Sequence, residues 1–133
     1  MAKLELEPLE KAIGRLEQSF ERAARDPNDE VVRDGVIQRF EYTMDLCWKF
    51  MQRYLKAIAE VDEATLRTKR DIFRESARMK LIADAEAWIN HWDARNDTSH
   101  DYNEEKAKAV FEQARKFFPD AKAFLKALRE AVA

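Results

Sequence analysis

The chain has 133 residues, enough for one domain with a substantial hydrophobic core. Only 2 glycines and 3 prolines are present, too few for the many turns of an all-β fold. The formal net charge of -2 argues against binding of nucleic acid by the whole surface, but it does not exclude a local basic patch. The single cysteine excludes an internal disulfide and a metal site built from cysteines alone.

The first seven residues are interrupted by charge and do not resemble a signal peptide. No apolar run approaches the roughly 18 residues that a membrane span needs. We therefore expect a cytoplasmic protein with no membrane partner.

Two long helices open the chain. The first is predicted from about Glu7 to Arg25, with Pro8 in its first turn, and the second from about Asp29 to Glu60. Apolar residues recur in both at alternating spacings of three and four, which is the period of one helix face.

A third, shorter helix is predicted from about Lys69 to Lys80, with Thr68 as its N-cap. Four arginines fall within one quadrant of a helical projection, and apolar residues lie roughly opposite. These arginines, candidates for contact with RNA or with an acidic partner, are Arg67, Arg70, Arg74 and Arg78. A solvated face is the competing interpretation.

The fourth helix should begin near Asp84 and end between Asn96 and Ser99. The last helix begins after Asn103, and Pro119 is expected to kink or break it, so that two pieces are predicted. The pattern predicts an all-α protein: an antiparallel, up-and-down four-helix bundle with an extra short helix, in a single domain over residues 1–133. Surplus apolar surface indicates a homodimer or a partner-binding face.

The polar segment from Arg95 to Tyr102 is the best candidate for chemistry. On an ideal helix Arg95 and Tyr102 are about 20° apart, whereas Arg95 and His100 are about 140° apart. Arg95 and His100 therefore meet only if the helix breaks near residues 98–99 or if two subunits contribute one residue each.

Arginine and histidine suit metal-independent cleavage of RNA. Arginine offers a planar cationic fork for phosphate oxygens, and histidine exchanges protons near neutral pH. Arg95 and His100 are thus candidate catalytic residues. The competing interpretation is a polar helix end in which Arg95 pairs with Asp97 or Asp101.

Other residues near this segment are weaker candidates. His91 lies four residues before Arg95 and could support the site, as could Asn96 and Ser99. A metal site at Asp97, His100 and Asp101 lacks a defined ligand spacing, so we expect neither metal nor cofactor.

The second helix also places two carboxylates one turn apart. Glu41 beside Asp45 is unfavourable unless a cation lies nearby, and either Arg95 or a residue of the basic helix could supply it. Asp45 could also pair with Lys49. Cys47 is predicted to lie in the core with its neighbour Trp48.

The stretch Trp92-Asp93-Ala94-Arg95-Asn96-Asp97-Thr98-Ser99-His100-Asp101-Tyr102 resembles the Arg-x4-His-x-Tyr motif of the HEPN superfamily, specifically its HepT-like group. Residues 33–49 resemble the matching helix of the nucleotidyltransferase substrate-binding subfamily. No glycine-rich phosphate loop is present, so the chain does not resemble the nucleotidyltransferase itself.

The resemblance implies a four-helix-bundle homodimer that forms a complex with a minimal nucleotidyltransferase, as one half of a toxin–antitoxin pair. In HepT-like toxins the arginine and histidine of two subunits form a ribonuclease site, which gives these roles to Arg95 and His100. The partner acts as antitoxin and adenylylates the motif tyrosine, here Tyr102. The subfamily name implies instead a substrate-binding subunit without chemistry of its own.

Overall fold

The computed structural model describes residues 4–97 and 103–133, and these residues form five α-helices and no strand. The helices are α1 (Glu7–Arg25), α2 (Glu30–Arg53), α3 (Lys69–Arg78), α4 (Ala85–Asp97) and α5 (Glu104–Val132). The predicted all-α fold is confirmed.

Side-chain caps begin four of these helices. The Asp29 carboxylate accepts hydrogen bonds from two amides at the start of α2, and Asp84 does the same at the start of α4. Thr68 and Asp71 form a reciprocal capping box on α3, and Asn103 caps α5. Each cap satisfies amides that have no partner inside the helix, which is why these positions were readable from the sequence.

The four long helices α1, α2, α4 and α5 pack around a hydrophobic core, and α3 lies against α2 and α4. Aromatic side chains from three helices meet at its centre. Trp88 of α4 lies edge-on to Phe117 and Phe124 of α5, with ring centroids 5.6 and 5.8 Å apart. Phe40 of α2 contacts Phe117 at 5.1 Å. Each such pair adds about 0.5–1.5 kcal/mol beyond the burial of its surface.

The predicted break at Pro119 is wrong, because α5 runs without interruption from Glu104 to Val132. Proline removes one amide from the helix, but Pro119 itself is exposed. Phe117 and Ala121 on either side of it are fully buried in the core. Tertiary packing on these neighbours therefore outweighs the local preference of proline.

The second helix ends earlier than predicted. Its α-helical part stops at Arg53, and a π-helical turn over Tyr54–Ile58 follows. The chain then leaves the helix at Glu60, whose φ of 54° lies in the left-handed region. A 3-10 turn over Glu63–Thr65 leads towards α3.

No helix of the described part combines the length and the apolar character that crossing a lipid bilayer requires.

Candidate functional site

Arg95 lies in the last turn of α4 and reaches across to two carboxylates of α2. Its Nε donates to Asp45 Oδ1 at 2.9 Å and its Nη2 to Asp45 Oδ2 at 3.2 Å. Its Nη1 donates to Glu41 Oε2 at 3.1 Å. Because Glu41 and Asp45 are four residues apart, both carboxylates face the same guanidinium. The fork is thus held at two edges, and its plane is fixed.

The two carboxylates stabilise the positive charge that the guanidinium carries in any case. Hydrogen bonds to Asp45 are the main reason that the pKa of Arg95 is raised, and the nearby charges of Asp45 and Glu41 raise it further. Burial opposes this change because the side chain is only 27% exposed. An anion that binds here must compete with two carboxylates, or take one of their places.

Arg95 therefore supplies the cation that the Glu41–Asp45 pair required. The sequence left two sources open, Arg95 or a residue of the basic helix, and the structure selects Arg95. This contact joins residues that are 50 and 54 positions apart along the chain.

Only part of the motif lies in the described residues. Asn96, a predicted supporting residue, is exposed in the last turn of α4. The predicted residues Ser99, His100 and Tyr102 lie outside the described residues.

His91, also a predicted supporting residue, is placed in the core and only 1% exposed. Its Nε2 lies 2.7 Å from Asp120 Oδ2, and its Nδ1 lies 2.8 Å from Gln113 Nε2. With the Gln113 amide donating to Nδ1, the ring carries its proton on Nε2 and donates it to Asp120. Burial lowers the pKa of His91, which favours the neutral ring. Because both ring nitrogens bond to residues of α5, His91 can affect Arg95 only indirectly, by holding α4 against α5.

The four arginines of the predicted basic face are all exposed: Arg67 lies just before α3, and Arg70, Arg74 and Arg78 lie on it. Arg78 donates to Glu75 at 2.8 Å. Within residues 4–97 and 103–133, no carboxylate forms an ion pair with the other three guanidinium groups. The opposite face is buried through Ile72 and Phe73.

A cluster that the sequence analysis missed lies next to Arg95. Trp48 of α2 and Trp92 of α4 meet edge to face, with centroids 6.2 Å apart. The Lys69 amine of α3 lies 4.3 Å from one ring and 4.7 Å from the other. Trp48 was predicted to be core, but it is only partly buried, as is Trp92. The spacing of the two tryptophans could have predicted this cluster, because Trp48 is three residues from Asp45 and Trp92 is three residues from Arg95.

Cys47 is fully buried, and burial raises the pKa of its thiol. The thiolate is the nucleophilic form, so this environment keeps the cysteine unreactive. The prediction that Cys47 belongs to the core is confirmed.

A groove of about 920 Å³ lies at another end of the bundle, between the α1–α2 connection and α5. Phe20 and Phe111 form part of its wall, and Arg33 donates to Glu104 at 2.6 Å on its rim. Neither Arg95 nor its carboxylates line it, so the groove is separate from the candidate site.

Comparison with known proteins gives consistent results along nearly the whole chain. Residues 4–130 match the family model described as nucleotidyltransferase substrate binding protein like. A relative from Haemophilus influenzae, named probable ribonuclease HepT, is 36% identical over 137 residues. That similarity covers 96% of this chain and 94% of the relative.

Two solved structures share the fold. One, from Haemophilus influenzae, is described as revealing the fold of a substrate binding domain of a nucleotidyltransferase. It has a TM-score of 0.83 and 33% identity, and covers 94% of this chain and 99% of that one. The other, from Thermus thermophilus, has a TM-score of 0.76 and 30% identity, with 91% and 98% covered. The resemblance therefore extends over the whole helical arrangement.

Proposed function

The chain belongs to the family of nucleotidyltransferase substrate binding protein-like proteins, and on that basis we propose that it works as the partner subunit of a minimal nucleotidyltransferase. In this proposal the pair is a cytoplasmic toxin–antitoxin system, and residues 1–133 form a single-domain subunit. The observation that carries it is the family match over residues 4–130. The shared fold supports it.

The exposed basic face of α3 is the proposed contact surface for that partner or for RNA. A net charge of +4 results from six basic and two acidic residues over positions 67–80. The protein is acidic as a whole, so this local basic surface attracts acidic groups of a ligand. The attraction also orients the ligand as it approaches.

Co-expression with the product of the neighbouring gene, which the proposal expects to be a minimal nucleotidyltransferase, tests the first proposal. The two proteins should co-elute from affinity and size-exclusion columns in a fixed ratio. The double variant Arg70→Glu/Arg74→Glu should weaken the complex if α3 contacts the partner, whereas Arg115→Glu on α5 should not. Separate elution of the wild-type proteins would rule out the partner function.

A second function, ribonuclease activity, is favoured by the geometry of Arg95 and by the relative named probable ribonuclease HepT. Arg95 would hold the scissile phosphate and stabilise the charge that develops on its oxygens. His100 would act as general base on the 2′-hydroxyl. That oxygen attacks phosphorus, the bond to the 5′ oxygen breaks, and the leaving oxygen takes up a proton. The products are a 2′,3′-cyclic phosphate and a 5′-hydroxyl.

The charge balance around Arg95 suggests how the site is held. Asp45 grips the guanidinium at two atoms and would be the positioning residue, while Glu41 contacts one atom. We expect Asp45→Asn to lower cleavage through a misplaced Arg95 without unfolding the protein.

Purified protein and bulk RNA test this second function. Wild type should cleave RNA in the presence of EDTA, and Arg95→Ala or His100→Ala should reduce the rate by about 10²–10⁴-fold. Arg115→Ala, a substitution of an exposed arginine on α5, serves as the matched control and should cleave normally. If wild type is inert under these conditions, the protein is a binding subunit only.

Adenylylation of Tyr102 is the proposed means of control by the partner. A bound AMP would add a negative phosphate close in sequence to Arg95, and so would oppose entry of RNA. Mass spectrometry after co-expression should show one added AMP on wild type and none on Tyr102→Phe. An unmodified Tyr102 beside an active partner would refute this mode of control.

A further inference from the structure

The Lys69–Trp48–Trp92 cluster joins three helices at one point on the surface. Lys69 is the first residue of α3, Trp48 belongs to α2, and Trp92 belongs to α4. The amine lies 4.3 Å from the Trp48 ring centroid and 4.7 Å from that of Trp92, so it contacts both indoles. Both tryptophans are partly exposed residues at the edge of the core rather than members of it.

Within residues 4–97 and 103–133, the charge of Lys69 is not neutralised by a carboxylate. No acidic side chain among the described residues forms an ion pair with it. Arg70 and Arg74 on the same helix, and Arg67 just before it, are exposed, and their guanidinium groups form no ion pair with a carboxylate of the described residues. An aromatic pair with four cations that have no ion-pair partner among the described residues matches a ligand that has flat rings and negative charges.

The cluster also lies beside Arg95. Trp92 is three residues before Arg95 on α4, and Trp48 is three residues after Asp45 on α2. Three residues correspond to a rise of about 4.5 Å along a helix. The tryptophan pair is therefore the next layer of the same α2–α4 seam, between Arg95 and the basic face of α3.

We propose that Trp48, Trp92 and Lys69 form a subsite for one unstacked nucleobase and its phosphate in single-stranded RNA. In the free protein the Lys69 amine rests on the indoles. When RNA binds, the base takes its place on the aromatic surface and the amine moves to the phosphate. This inference rests on the proposed ribonuclease function, for which it supplies the path of the strand from Arg95 to α3.

Base stacking on an aromatic ring is strong enough to measure. Replacing such a ring generally costs about 1–3 kcal/mol per base, which is roughly 5- to 150-fold in affinity. The neutralised phosphate adds a contribution that depends on salt concentration. A cluster that only ties α3 to the bundle would affect stability but neither of these quantities.

Tryptophan fluorescence gives a direct readout. Trp48 and Trp92 are partly exposed, whereas Trp88 is only 2% exposed and forms a constant background. The ligand is a short 2′-O-methyl RNA strand, which lacks the free 2′-hydroxyl needed for cleavage. It should quench the fluorescence of wild type, and a double-stranded RNA of the same length should quench less.

The variants separate the contributions of ring and charge. Trp92→Leu should weaken binding by roughly tenfold or more, and Trp92→Phe should retain much of the affinity. Lys69→Gln should weaken binding severalfold and lower the slope of log affinity against log salt by about one. Lys69→Arg keeps the charge, so its affinity and its salt slope should equal those of wild type. The matched control is Lys122→Gln, which removes an amine 5.2 Å from the Phe118 ring on α5 and should bind like wild type.

Four outcomes decide the matter, with circular dichroism used to verify folding. Loss of affinity in Trp92→Leu and Lys69→Gln, but not in Lys122→Gln, supports the subsite. Normal binding by both variants, while wild type cleaves RNA through Arg95, overturns the subsite and leaves the ribonuclease function intact. Absence of RNA binding and cleavage by wild type overturns both. If Lys69→Gln loses the nucleotidyltransferase instead of RNA, the cluster is a protein contact and the subsite is refuted.

Discussion

At the scale of single residues, four described polar side chains are buried, and they differ in how they are satisfied. Ser19 and Thr43 donate to backbone carbonyls of their own helices at 2.7 Å. His91 uses both ring nitrogens. The hydroxyl of Ser76, in contrast, has no hydrogen-bond partner among the described residues. A buried polar group without a partner lowers stability. Replacing Ser76 should therefore change the free energy of unfolding differently from replacing a residue whose hydroxyl is bonded.

Ser76→Ala should raise the free energy of unfolding by about 1 kcal/mol, because the unpaired hydroxyl is removed while the shape is nearly kept. Urea unfolding with an unchanged dependence on denaturant would measure this. The matched control is Ser19→Ala, which removes a hydroxyl that has a partner and should lower stability by about 1 kcal/mol. Equal losses in both variants would contradict the prediction.

The stability of the protein should fall as the pH falls below about 6.5 because of His91. Burial lowers its folded-state pKa below the ordinary value of 6.5, although Asp120 and Asp84 oppose this and Lys116 adds to it. The unfolded chain then binds the proton more readily, so the contribution is full above pH 6.5 and is lost towards the folded-state pKa.

The test of this prediction is the difference in unfolding free energy between wild type and His91→Gln from pH 7.5 to 5.5. The wild-type value should decrease relative to the variant, by at most about 1.4 kcal/mol per pH unit. Parallel profiles would show that His91 does not titrate differently on folding.

At the scale of helices, local signals fix the starts better than the ends. Each N-cap side chain accepts a hydrogen bond from a backbone amide no more than three residues later in the chain. These caps are Asp29, Thr68, Asp84 and Asn103. The end of α3 instead uses backbone bonds: Leu81 N–H donates to the backbone carbonyl oxygen of Ser76 at 2.9 Å, and Lys80 N–H donates to that of Ala77 at 3.0 Å. This is a Schellman ending, and it requires a left-handed residue.

Lys80 occupies that left-handed position with a φ of 63°, where glycine is the preferred residue. Lys80→Gly should therefore raise the free energy of unfolding by about 1 kcal/mol. Lys80→Ala retains the Cβ atom and should bring no gain. Thermal melts of wild type and the two variants measure these differences in stability. An equal gain in stability in both variants would contradict the prediction and assign the effect to loss of the lysine charge.

At the scale of the whole molecule, the seam between α2 and α4 brings together the residues on which the proposed functions depend. Arg95 with its two carboxylates forms one layer, and Lys69 with Trp48 and Trp92 forms the next. The basic face of α3 continues from there. A partner protein and RNA are the two ligands proposed for this surface.

A proposed homodimer whose site combines Arg95 of one subunit with His100 of the other is testable by mixing subunits. Arg95→Ala and His100→Ala should each be inactive alone, and a refolded mixture should regain cleavage because mixed dimers contain one complete site. The oligomeric state is verified by sedimentation. Failure of the mixture, when mixed dimers are present, would place both residues within one subunit.

Sequence alone determined the helical class, the helix starts and the candidate motif, because periodicity and caps depend on residues a few positions apart. It also showed that the Glu41–Asp45 pair needs a cation. Only the tertiary structure decided that Arg95 supplies it, that His91 binds α5, and that Lys69 lies on two tryptophans. These contacts join distant parts of the chain, and the continuity of α5 through Pro119 likewise depends on a core built from several helices.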